Sequence, residues 1–385
     1  MNQQHPCAAT EEQLLLLQAC LLRGEPALQA WQSWKSRVDL DAVDAPSFAL
    51  LPLLYHDLLA LSVEDTDMGR LAGVARSAWA GNQLLFRAGA SALAALRDAQ
   101  IDALVADGTV LSLLHYEETG LRRLSSFEAL VHLRDAGRAM EALSAAGWRM
   151  ESLHAPRDTV IAFRAAARFE DRSGQMFRLC WRMWAGAAPD AESEVWDAAR
   201  GFVSEGLSAR ALGPTDLLLR VCAGPEKWGR ERSLLWVADG LAVLSTASAA
   251  VDWERFVARA QQLGLSLPAA DALACLVEIF GAAVPAGVVR DLQGTPVSRC
   301  ERTLWRMQAG GGAVWGALPW ALQRYGRLMK GRSLIYRMGM FPRYLQCVWN
   351  LRSAWQVPIQ ALLKAAHGVG RGIRWRVESM TRGRR

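Results

Sequence analysis

Cysteine is scarce in this sequence: there are seven, at positions 7, 20, 180, 222, 275, 300 and 347. The number is odd and no two stand in a CxxC motif. That excludes a cysteine-held metal cluster and a disulfide-built scaffold, and leaves small buried hydrophobes in a reducing cytoplasm as the expectation. Long apolar runs are missing too. The nearest is the mixed, Gly- and Ala-rich stretch from Met307 to Leu322, too short and too polar to span a bilayer. The opening MNQQHPCAATEEQ has no basic start and no apolar stretch after it, so no secretory signal is expected. Catalytic signatures are equally sparse. None of the six histidines (His5, His56, His115, His132, His154, His367) pairs with another at i, i+4, so no helical metal site is written there. There is no GxSxG elbow and no Gly-rich phosphate loop. Gly368-Val-Gly370-Arg-Gly372 copies part of a dinucleotide loop, but it follows a helical segment rather than a strand.

What is present is a chain of 385 residues, 51% apolar and 21% charged. That is enough for a sizeable core in two domains or three small ones, and it excludes global disorder. Lysine is almost absent: only Lys35, Lys227, Lys330 and Lys364 stand among 44 basic residues. Charge is unevenly placed. From Trp320 onward there are 14 basic residues and a single acid, Glu378, whereas residues 1–319 hold 30 basic and 37 acidic. A mildly acidic body with a basic end suits contact with an anionic membrane, a nucleic acid or an acidic partner. In the last segment Lys364, Arg371, Arg374, Trp375 and Arg376 are the candidates for that contact. A cytoplasmic protein, peripheral to a membrane at most, is the expectation.

The first hundred residues read as helices. Thr10 and Gln13 form a capping box, Pro46–Leu61 and Met68–Ala99 keep helical period, and Pro52 should break or kink its segment. At Ile101 the texture changes. A short apolar run ends at Asp107-Gly108, a helix covers Thr109–Tyr116, and Ser126–Leu133 roughly alternates as a strand. Asp135–Ala146 is a helix ended by Gly147; Thr159–Ala165 and Gln175–Met183 read as strands. From Ser193 the pattern reads as helical again. The expected layout is an N-terminal helical region (1–99), an α/β core (100–190), a second helical region (191–310) and basic, aromatic-rich C-terminal helices or tail (311–385). The fold class is α+β, predominantly helical, with a small mixed sheet flanked by helices.

Several blocks occur in a telling order: Leu51-Pro52-Leu53-Leu54-Tyr55-His56, Asp107-Gly108, Arg122 followed by Ser126-Phe-Glu128-Ala-Leu-Val131, Gly147-Trp148, Phe177–Trp181, Pro214-Thr-Asp216, Trp236-Val-Ala-Asp239 and Asp252-Trp253. Over residues 10–285 this order resembles a bacterial family of uncharacterised nucleotidyltransferases within the polymerase-beta-like superfamily. The resemblance implies a strand bearing two metal-binding carboxylates, a third carboxylate on a neighbouring strand, and transfer of a nucleoside monophosphate to a hydroxyl or amine acceptor. Two Mg²⁺ ions would sit between the carboxylates and the triphosphate. In this sequence the first carboxylate position is Ser126, the second is Glu128, and the third aligns with Arg178. Asp107 stands where the family has Lys before glycine, and Cys180 where it has His before tryptophan; a second family His aligns near Ala223.

Five changes in one cleft argue against the ordinary two-metal reaction, because a guanidinium among the ligands opposes a cation. The resemblance then implies a catalytically degraded member, a binding or accessory factor with a protein partner in a biosynthetic pathway. It would hold a nucleotide, with or without Mg²⁺, through Gly108, Arg122, Ser126, Glu128 and Arg178. Two alternatives stay open. One is an active transferase rebuilt on Glu128 and one of Asp107, Glu117 or Glu118. The other is a body that presents its basic tail to membrane or nucleic acid.

Overall fold

The computed structural model describes residues 9–184, 192–224, 233–297, 317–329 and 331–363, with isolated positions 299, 302 and 305. Five helices come first: α1 (Glu11–Leu21), α2 (Glu25–Lys35), α3 (Ala45–Phe48), α4 (Leu51–Ala60) and α5 (Met68–Asp98). The capping box is formed as expected: Thr10 Oγ1 accepts from the Gln13 amide and Gln13 Oε1 accepts from the Thr10 amide. Pro52 lies in the first turn of α4, where its missing N–H costs nothing, and the break falls just before it.

The sheet follows. β1 (Ala103–Val105) leads into α6 (Asp107–Leu114), and β2 (Phe127–Val131) into α7 (Ala136–Ala145). Then come β3 (Arg149–Met150), α8 (Arg157–Phe163), β4 (Ala166–Glu170), β5 (Met176–Cys180), α9 (Ser193–Asp197), β6 (Arg200–Ser204) and β7 (Leu207–Ala211). The seven strands are ordered β3-β4-β5-β2-β1-β7-β6, and the pairing is mixed. β1 runs antiparallel to β2 and parallel to β7, while β2 and β5 are parallel. β2 is buried at every position, as a central strand covered on both faces must be. The fold is therefore α+β, a mixed sheet set among helices.

Two expectations are corrected. Residues 159–165 are not a strand: α8 occupies 157–163 and the strand starts at Ala166. Val160 and Phe163, three apart, are the buried pair, so helical period prevails over the β-branched run Thr159-Val-Ile. Residues beyond 193 are not purely helical either. The sheet takes in β6 and β7, a tight hairpin turning at Glu205-Gly206, both with positive φ (50° and 73°). The sheet thus extends past residue 190.

Helix α5 crosses the sheet at close range. A methyl group on Gly89 would stand 2.1 Å from Phe127 Cδ2, so only a glycine lets the helix approach here. Phe127 in turn stacks on Phe177, with ring centroids 5.8 Å apart, tying β2 to β5.

Beyond the sheet, α10 (Pro214–Ala223), α11 (Leu235–Ala247), α12 (Trp253–Leu263), α13 (Ser266–Phe280) and α14 (Ala286–Gln293) form a helical layer, followed by α15 (Ala317–Leu328) and α16 (Leu334–Val348). α16 packs on α8 through an aromatic cluster. Phe163 meets Tyr344 edge-on at 5.4 Å, and Tyr325 lies 4.9 Å from Tyr344 and 5.1 Å from Phe341. The basic C-terminal region thus begins as helices anchored on α8. The tail candidates Lys364, Arg371, Arg374, Trp375 and Arg376 lie outside the described residues.

Candidate functional site

The end of β1, the starts of β2 and β5 and the end of β7 share one edge of the sheet. The β1–α6 turn puts Asp107 at this edge with φ 48°, a left-handed conformation that aspartate tolerates better than most residues. β2 supplies Glu128. β5 supplies Arg178, directly opposite Glu128 in the parallel register. α10 brings Arg220 and α11 brings Asp239. The loop after α6 brings Tyr116 and Arg122.

These groups interlock. Arg220 grips Asp107 with two parallel bonds, Nε to Oδ1 at 2.8 Å and Nη2 to Oδ2 at 2.9 Å. Its Nη1 donates to the Met183 carbonyl at 2.9 Å. Arg178 Nη1 lies 2.9 Å from Glu128 Oε1 and 3.9 Å from Asp107 Oδ2, between the two carboxylates. The other Glu128 oxygen accepts from the Gly108 amide at 3.2 Å. Arg122 grips Asp239 in the same forked way, at 2.7 and 2.9 Å, and Tyr116 donates to the same carboxylate at 2.9 Å. A methyl group on Gly108 would come within 2.5 Å of Arg122 Nη1, so the turn and this guanidinium are packed together. Three carboxylates and three guanidiniums alternate, with no net charge. Forked Arg–carboxylate pairs are the geometry guanidinium is built for.

The titration behaviour follows. Burial alone would push the Asp107 carboxyl up, yet the guanidiniums of Arg220, Arg178 and Arg122 bring it below the ordinary aspartate value. Burial pushes the Cys180 thiol up to about 12, which leaves it protonated and without nucleophilic character at neutral pH. Because the Asp107 value is depressed on folding, its contribution to stability is present above the unfolded aspartate pKa of about 3.9 and is lost as pH falls through the folded value. Glu192 and Asp216 shift the opposite way, raised by burial. We therefore expect the stability gap between the parent chain and Asp107→Asn, read by denaturant unfolding, to be largest near neutral pH and to shrink below about pH 4. A gap independent of pH would mean that Asp107 is not held as an ion.

Mg²⁺ needs oxygen ligands at about 2.0–2.1 Å, chiefly carboxylates. Here the four oxygens of Asp107 and Glu128 all face N–H donors. The space between the two acids is taken by the Arg178 guanidinium. Ser126, half-buried one residue before β2, adds only a hydroxyl. No group of three or more His, Cys, Asp or Glu side chains able to hold a metal occurs among the described residues. The residues present do not fit a divalent ion.

The model of the uncharacterised nucleotidyltransferases matches residues 47–281, more than half of the chain. The chain belongs to that family. The family's matched span opens within α3 and closes with α13, so it takes in the whole sheet and every residue of the network. A solved structure, an antigenic nucleotidyltransferase-like protein from Paracoccidioides brasiliensis, is similar at 16% identity with a TM-score of 0.35, covering 53% of this chain and 96% of that chain. No curated protein matches.

Of the site residues expected from the sequence, Asp107, Gly108, Arg122, Glu128 and Arg178 come together at this edge, with Ser126 beside them. Glu117 and Glu118 do not join them: both are exposed, and Glu117 Oε2 lies 3.8 Å from His56 Nε2 instead. His115 Nδ1 lies 2.6 Å from Thr246 Oγ1 on α11. His132 sits at the opposite end of β2, stacked on Trp196 at 3.6 Å. Tyr116 was missed as a site residue, and so were two charged members of the network, Arg220 and Asp239. Each is a lone charge inside an apolar helical run, Leu217-Leu-Leu-Arg220-Val-Cys and Trp236-Val-Ala-Asp239-Gly-Leu. A charge placed there must find a buried partner, and that was the available signal.

Proposed function

We propose that this chain is a catalytically degraded nucleotidyltransferase-like protein that acts as a binding or accessory factor in a bacterial biosynthetic pathway. One observation carries the reading. Arg178 faces Glu128 across the central strand pair and bonds it at 2.9 Å, which supports the reading that its guanidinium takes the position the resemblance gives to a metal-binding carboxylate. Transfer requires carboxylates to hold the ions that activate the attacking oxygen and the leaving pyrophosphate. Both acids beside Arg178, Asp107 and Glu128, are bonded to arginines.

Any nucleotide bound here would be read without metal. Of the three guanidiniums, Arg178 has the most exposed side chain, 27% against 14% for Arg122 and 7% for Arg220. Swinging toward a phosphate would require Arg178 to exchange Glu128 for a phosphate oxygen, a substitution of like partners. The acceptor chemistry of an active family member plays no part in this reading.

The test is titration of the full chain with ATP, GTP, CTP and UTP, with and without Mg²⁺, following heat and pyrophosphate release together. We expect no Mg²⁺-dependent pyrophosphate release, and any heat of binding to persist in a chelator and to vanish in Arg178→Ala. Mg²⁺-dependent release that Glu128→Gln abolishes would replace this reading with an active, rebuilt transferase.

A further inference from the structure

The C-terminal region carries a surface that the cleft does not explain. Residues 356–363 are helical, and Trp355, Ile359 and Leu362 recur at i, i+4 and i+7, which places them on one face. All three point to solvent, at 67%, 52% and 71% exposure. The start of α16 does the same with Leu334, Ile335 and Met338, at 69%, 85% and 70%. Scattered exposed hydrophobics are ordinary, but a face of large ones at helical spacing is not.

The charge carried by this stretch of the chain is of one sign. Between Ala317 and Leu363 the sequence has Arg324, Arg327, Lys330, Arg332, Arg337, Arg343 and Arg352 and no Asp or Glu. Arg324 is turned inward, where it donates to the Phe163 carbonyl, whereas Arg332, Arg343 and Arg352 are exposed. A protein partner that covered the apolar stripe would need acids facing these arginines. A nucleic acid would use the arginines and leave Ile359 and Leu362 without apolar cover. An anionic bilayer satisfies both at once: the stripe enters the interfacial zone while the arginines meet lipid phosphates. No helix among the described residues is long and apolar enough to cross a membrane, so the contact would lie in the plane of the surface. The anchoring of α16 on α8 fixes the base of this region on the folded body, through Phe163 and Tyr344.

We infer that residues 334–363 form an interfacial docking surface for anionic lipid bilayers, led by Trp355, Ile359 and Leu362. The test uses the full chain and sedimentation with vesicles of phosphatidylcholine alone or with about a quarter phosphatidylglycerol. Binding to the anionic vesicles alone is expected, weakened about tenfold or more in Ile359→Asp/Leu362→Asp and less in Ile359→Ala/Leu362→Ala. Because these side chains are exposed, circular dichroism and melting of both variants should match the parent. Undiminished binding by the Asp variant would hand the contact to the basic residues beyond 363 and overturn the inference. So would equal binding to neutral vesicles, or no vesicle binding at all. Concentration-dependent dimerisation lost in the same variant, without vesicle binding, would make the stripe a contact between copies. Retention on duplex DNA in place of vesicles would make the region a nucleic-acid contact. Either result also overturns it.

Discussion

Replacing Arg220 with alanine is expected to destabilise the folded chain by about 3–5 kcal/mol. The side chain is buried, forks onto Asp107 with bonds of 2.8 and 2.9 Å, and closes the Met183 carbonyl with a third. Removing it leaves the Asp107 carboxylate buried with only the more distant charges of Arg178, at 3.9 Å, and Arg122. The cost is that of an abandoned ion rather than the worth of the pair. Denaturant unfolding of Arg220→Ala, Asp107→Asn and the double variant separates the two. The double variant should be less destabilised than the two single changes added together, because the second change removes the orphan that the first creates. Simple additivity, or a cost below about 1 kcal/mol for Arg220→Ala, would show that the pair is not desolvated as described.

A comparable loss, about 3–5 kcal/mol, is expected from Trp181→Ala. Trp181 is fully buried just past β5, and its Nε1 donates to the Ile161 and Arg164 carbonyls at 3.1 and 2.8 Å. Those carbonyls have a second donor, Arg182 Nη1, at 2.7 and 3.0 Å. The ring, rather than its N–H, should therefore carry the stability. Trp181→Phe, which keeps most of the apolar bulk, should cost well under half of what alanine costs when both are unfolded in denaturant. Equal losses would place the energy in the hydrogen bonds instead.

Much of the architecture was legible because it rests on local signals. The Thr10 capping box, the long period of α5 and the alternation before Val131 each report one element. The β6–β7 hairpin was not legible, since its turn is Glu-Gly and its strands alternate weakly. Residues 159–165 misled because β-branched residues also fill helices when their spacing buries one face. In the cleft, the resemblance carried by the order of the blocks brought out Asp107, Gly108, Arg122, Ser126, Glu128 and Arg178. What could not be read was pairing. Arg220 is 113 residues from Asp107 and Asp239 is 117 from Arg122, and nothing local in a sequence says which distant charge a buried one will meet.

The place of β1 in the sheet bears on how the chain is made. β1 is flanked by β2, synthesised soon after it, and by β7, which is not complete until Ala211. At a ribosomal rate of about 5–20 residues per second, the interval between Asp107 and Arg220 amounts to several seconds at least. Through that time the nascent chain holds an open strand edge and a carboxylate without its main counter-ion. Residues 101–184 therefore cannot reach their final form by themselves. Arg220, late to emerge, closes a structure whose first half has been waiting for it.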